Sequence, residues 1–145
     1  MMNKEMGKLL STGIIAGVVG GIIFGLMMQM RGMMGMVAAM MGSESLAIGW
    51  LIHMIISVIF GLSFAILTTF IKNIWVAALI FGVGIWIVGP LVIMPMMMGM
   101  GTNLANAFTS DMLMSLGTHL FFSIILAIVF KARSSKPATN PHVQA

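Results

Sequence analysis

Two histidines stand inside runs that are otherwise almost wholly apolar: His53 in "GWLIHMIISVIFG" (Gly49 to Gly61) and His119 in "SLGTHLFFSIILA" (Ser115 to Ala127). They lie 66 residues apart, and each heads the same pattern, small-xxx-His-xxx-Ser-xxx-small. In the first run the pattern is Gly49, His53, Ser57 and Gly61; in the second it is Ser115, His119, Ser123 and Ala127. A spacing of four keeps every member on one face of a helix. An ionisable side chain in such a run points first to function. The plainer reading is a neutral imidazole bonded across helices to a serine hydroxyl or a backbone carbonyl. Two facing imidazoles can hold a transition metal, act as axial ligands of haem b, or relay protons near neutral pH. No carboxylate lies within the runs beside them, which weakens the proton-relay reading.

Methionine supplies the second chemical signal. Of 19 methionines, eight fall between Met27 and Met41 and five between Met94 and Met100. Met112, Met114 and Met54 also map to the end of the spans where both histidines lie. Thioether plus imidazole is a soft donor set suited to Cu(I). Met94 and Met96, beside Pro90 and Pro95, are the candidate thioether ligands to His53 and His119, with Ser57 and Ser123 supporting the rings. The competing reading is that methionine packs adaptably against lipid or a protein partner.

The chain that must position these groups is 60% hydrophobic and 7% charged over 145 residues. A soluble domain carries about 25% charged residues, so this one has no means of covering a water-facing surface. Four apolar runs, residues 9–30, 46–71, 74–98 and 112–130, are each long enough to cross a bilayer core, which takes roughly 20 helical residues. Backbone groups in lipid must find partners within their own segment, so helices follow. The expectation is an all-α, integral membrane four-helix bundle over residues 1–130, followed by a disordered cytoplasmic tail over 131–145 that contains His142. The first run is too long for a signal peptide and has no A-x-A-like cleavage site after it.

With the N-terminus inside, Lys4, Lys8, Lys72, Lys131, Arg133 and Lys136 are cytoplasmic and only Arg31 is external. That bias predicts both termini inside, in the cytoplasmic membrane. The net charge of +4 is spread over span ends and makes no nucleic-acid patch. The repeated histidine pattern suggests two helical hairpins related as a 2+2 repeat. In a simple up-down bundle the second and fourth spans are diagonal, and His53 and His119 then approach a shared centre. Gly13, Gly17, Gly21 and Gly25 form a stripe that lets another helix approach closely, as do Gly49 and Gly61. Pro90 and Pro95 should break or kink the third span. Trp50 and Trp75 near span ends fit interface anchors, whereas Trp86 lies deeper.

There is no cysteine, which excludes disulfides and thiolate sites. Neither H-E-x-x-H, G-x-S-x-G nor a phosphate-binding glycine loop occurs, so an enzyme is not expected. The glycine-rich first span, "GWLIHMIISVIFG", "VGPLVIMPMMMG" and "GTHLFFSIILA", in that order, resemble small four-span bacterial and archaeal membrane proteins of uncharacterised families. The resemblance covers about Leu9 to Phe130. It implies a four-helix bundle in the cytoplasmic membrane and brings no activity with it. The leading functional expectation is soft-metal binding through His53 and His119 beneath a methionine-rich outer face. A bis-histidine haem b carrier is one alternative. The other is a non-catalytic membrane subunit, with a homo-oligomer or another membrane protein as partner. Reporter fusions test the orientation: those at Lys72 and at the C-terminus should read cytoplasmic, and those at Gly42 and Asn103 external.

Overall fold

The computed structural model describes residues 2–134; Met1 and the tail from residue 135, with His142, lie outside the described residues. The chain runs through α1 (Met2–Met30), α2 (Met34–Ala39), α3 (Leu46–Phe70) and α4 (Ile74–Trp86). A π-helical segment (Ile87–Ile93) joins α4 to α5 (Met94–Met97), and a 3-10 turn (Leu104–Asn106) precedes α6 (Ser110–Ser134). No strand occurs among the described residues. Four stretches are long and apolar enough to cross a membrane: Asn3–Met30, Leu46–Phe70, Ile74–Met97 and Ser110–Ser134. The last continues four residues past Phe130, where the tail was expected to begin.

The spans pack in a ring. α1 lies against α3 and α6, and α4 lies against α6; α3 and α4 touch least of the neighbouring pairs. The α1–α3 seam is the closest and is made by glycine. A methyl added at Gly13 would sit 2.7 Å from the Gly61 carbonyl oxygen, and one at Gly21 would sit 2.7 Å from Ser57 Cβ. A methyl at Gly17 would press on the Ser57 carbonyl, and one at Gly61 would run into the Gly13 carbonyl. Gly49 serves a different contact, because a methyl there would lie 2.6 Å from the Met34 carbonyl of α2. Close approach of backbones is how helices gain contact energy in lipid, where burial from water cannot drive them together.

One end of the bundle gathers the described basic residues other than Arg31. There Asn73 caps α4, its side-chain oxygen accepting from the Trp75 and Val76 amides at 3.0 and 3.2 Å. Arg133 Nε donates to Thr12 Oγ1 at 3.0 Å, tying α6 to α1, and the Lys131 ammonium stands 5.5 Å from the Trp75 ring. Inside this half, Phe64 meets Phe81 and Phe130 edge-on at 5.4 and 5.2 Å, and Phe60 meets Phe81 at 6.1 Å. These rings, with Ala65, Ala77, Ala78 and Leu126, form the core and fill the lysine end.

The opposite end is built differently. The amides of Gly32 and Met33 bond back to Gln29 and Met28, and those of Gly99 and Met100 bond back to Met96 and Pro95. This closure requires positive φ, which Gly32 and Gly99 adopt at +70° and +73°. α2 buries Met34, Val37 and Ala38, three residues on one face, against the start of α3.

The third span was expected to break or kink at its prolines; it stays helical through them but passes into a π turn over Ile87–Ile93. A π turn pairs residues five apart, so the donor that Pro90 lacks is replaced by that of the next residue. Pro95 likewise leaves the Leu91 carbonyl without its ordinary helical donor. The Asn103 amide supplies one at 2.7 Å and folds the following loop back onto the helix.

The glycine seam gives a testable contrast. Gly61→Ala should lower the thermal unfolding midpoint in detergent, since overpacking of this kind costs about 1–3 kcal/mol. Gly84→Ala, whose added carbon meets nothing within 4 Å, should leave the midpoint unchanged or raise it.

Candidate functional site

Both histidines line one cavity. It has a volume of about 390 Å³ and takes its walls from all four spans and from α2. α3 contributes Ile52, His53, Ile56 and Ser57, while α4 and the π segment contribute Ile85, Val88, Gly89 and Pro90. α6 contributes Ser115, Thr118 and His119. Seven methionines complete the wall: Met27, Met28, Met33, Met40, Met41, Met94 and Met97. The aromatic core fills the bundle towards the lysine end, and the methionines of the wall gather towards the other.

His53 is 6% exposed. Its Nε2 lies 2.8 Å from the Gly21 carbonyl oxygen across the glycine seam. A carbonyl only accepts, so Nε2 carries the proton and Nδ1 keeps a lone pair. Ser57 Oγ donates to the His53 carbonyl at 2.8 Å and stands 3.5 Å from Nε2, at the limit of a second, weaker contact. Trp50 meets the imidazole edge-on at 5.9 Å, and its indole N–H donates to the Gln29 side chain. Trp50 therefore buttresses the ring from a place against Gly25, rather than serving only as an interface anchor.

His119 is held in the opposite tautomer. Its Nδ1 donates to the Ser115 carbonyl at 2.7 Å, one turn back on its own helix, which leaves the Nε2 lone pair free. Among the described residues neither free nitrogen has a hydrogen-bond partner. No buried side-chain nitrogen or oxygen there lacks a partner, so both lone pairs must remain reachable from open space. An imidazole held by one nitrogen on a carbonyl, with the other free, is oriented as a metal-binding histidine is.

The two rings do not meet each other. Phe24 of α1 packs against both, with its centroid 5.8 Å from that of His53 and 5.5 Å from that of His119. Nothing in the sequence marked Phe24, an aromatic in an apolar span. It is the residue that determines how the histidines share their space.

The other expected ligands divide. Met94 lines the cavity; Met96 is 56% exposed and does not, and Met97 faces the cavity instead. Ser123 is fully buried but turned elsewhere. Its hydroxyl donates to the Leu120 carbonyl at 2.9 Å and faces Gly82 of α4, so it packs the α4–α6 seam rather than supporting His119. Trp86, deep as expected, donates from Nε1 to the Met112 carbonyl at 2.9 Å. No group of three His, Cys, Asp or Glu gathers among the described residues, so the donors on offer here are imidazole and thioether. Compared with known proteins, the chain matches no family model, no curated protein and no solved structure.

Since the chain has no cysteine, single cysteines report on the cavity cleanly. Ile56→Cys on its wall should react with a small thiol reagent in detergent. Ala78→Cys, at a position 1% exposed in the aromatic half, should react at least about tenfold more slowly. Equal rates would mean that the cavity is closed or that the core is not.

Proposed function

We propose that this is a multi-pass protein of the cytoplasmic membrane, both termini inside, that binds a soft monovalent metal ion in the cavity beneath its methionine end. Cu(I) is the ion its donors suit best. One observation carries the reading: two imidazoles, each fixed by a carbonyl with its second nitrogen free, line one cavity together with seven methionines. Soft, neutral ligands favour Cu(I) over hard divalent ions, which seek carboxylate and carbonyl oxygen. An apolar wall adds selectivity, because a strongly hydrated ion pays heavily to enter it. The aromatic closure of the lysine end fits a site that receives its ion from the outer face and holds it. The matched small-xxx-His-xxx-Ser-xxx-small patterns support a 2+2 origin for the two hairpins, although the two serines now face different neighbours.

Haem b is supported less well. Its iron would need an imidazole nitrogen on each face, with bonds of about 2 Å and the rings close together. Here Phe24 packs against both rings, and a porphyrin, unlike a single ion, would need room beside it for a whole macrocycle. Binding, rather than catalysis, is also the natural use of a chamber whose only titratable groups besides Arg31 are two hydrogen-bonded histidines.

Competition against a chromogenic Cu(I) chelator tests the proposal on purified protein. Wild type should retain Cu(I), and His53→Ala and His119→Ala should each weaken binding by at least about tenfold, the scale of losing an oriented ligand. Met94→Leu should weaken it less, and Met96→Leu should leave it unchanged. Equal binding by wild type and the double histidine variant would overturn the metal reading. A Soret band that disappears in either single histidine variant would establish the haem alternative instead.

A further inference from the structure

A second cavity, also of about 390 Å³, adjoins the first at the methionine end. Met36, Met98, Met100 and Met112 line it, with Asn103 and Asp111. Arg31, Met33, Pro90, Met94, Ser115 and Thr118 belong to both cavities and form the wall between them. The outer chamber is held open by contacts already described. The Asn103 amide on the Leu91 carbonyl pins the loop carrying Met98 and Met100, and the Trp86 indole on the Met112 carbonyl fixes the start of α6.

We infer that this outer chamber is a separate receiving site for the soft cation, which reaches the histidine chamber by exchange across the thioethers of Met33 and Met94. The inference rests on the metal reading and adds to it an entry site and a route. Three observations carry it. Asp111 is the only acid on either wall, and a carboxylate at a mouth draws cations from solution. Met98 and Met100 are 40% and 70% exposed, so thioethers are reachable before any imidazole is. Met33 and Met94 are the methionines common to both chambers, so a thioether is on hand at the crossing and the ion need not be stripped of soft ligands there. Arg31 stands on the same wall, and its positive charge opposes a cation at that point. Crossing the wall is therefore the slow step, and arrival at Asp111 the fast one.

Kinetics separate the entry site from the final one. Full-length protein in detergent is mixed with the Cu(I) complex of a chromogenic chelator, and loss of the complex is followed to completion. Asp111→Asn and the double variant Met98→Leu/Met100→Leu should slow uptake several-fold and leave its final extent unchanged. Arg31→Gln should speed uptake. The double variant His53→Ala/His119→Ala should keep the early phase and lose the late one. Wild-type rates in both outer variants would overturn the route while leaving the metal reading standing. A loss of final extent in those variants would place Asp111 and the methionines in the final site and overturn a separate receiving site. No uptake by wild type would overturn both, and a thermal unfolding midpoint matching wild type shows that each variant is folded.

Discussion

The close approach of α1 and α3 is the constraint from which the rest of the arrangement follows. Of the four glycines at every fourth position of α1, Gly13 and Gly17 meet the α3 backbone at Gly61 and Ser57, and Gly21 and Gly25 meet the side chains of Ser57 and Trp50. Bare backbone also leaves the Gly21 carbonyl uncovered. Such an oxygen has two lone pairs, one for its own helix and one to spare. His53 takes the spare one. The same contact that closes the seam therefore selects the tautomer and aims the free nitrogen. On the other side of α1, Gly20 fits beneath the Phe122 ring, and α6 comes close enough for Phe24 to reach His119 as well as His53. A larger side chain at Gly25 would press on Trp50 and His53, and one at Gly21 on Ser57.

Packing is distributed unevenly, and the unevenness makes the cavity. The lysine half is filled by edge-to-face phenylalanines and small residues. The methionine half has glycine turns, a short surface helix and a π turn around Pro90. A π turn widens the helix locally and displaces the following side chains from their α-helical register. Here it forms the wall of the cavity itself, at Val88, Gly89, Pro90 and Ile93. The adaptable thioethers gather where the packing is loose, a place where flexible side chains lose least.

Much of this was legible in the sequence, because length and periodicity act locally. The helices, their glycine seam and the common face of His53 and Ser57 follow from spacing alone. What escaped depends on three-dimensional context. Ser57 and Ser123 occupy equivalent positions in their patterns, yet one lies beside a histidine and the other faces Gly82, because different helices adjoin them. Pairing Met96 with Met94 as ligands requires the prolines to end the helix. Since the helix continues, residues 94 and 97 share a face and residue 96 turns about 200° away. Phe24 could not be singled out, because an apolar span gives no sign of which aromatic will touch two polar rings.

The exposure of the thioethers ties the site to the oxidation state of its surroundings. Methionine takes up one oxygen to become a sulfoxide, a polar group with an oxygen donor in place of a soft sulfur. Met98 and Met100 stand in the open, whereas Met34 is sealed beneath the surface helix. An oxidising burst would reach the rim first and oxidise its thioethers while the buried packing stayed intact. On the metal reading proposed above, a chamber lined in this way would lose its preference for a soft ion without losing its shape, and a sulfoxide reductase could return it.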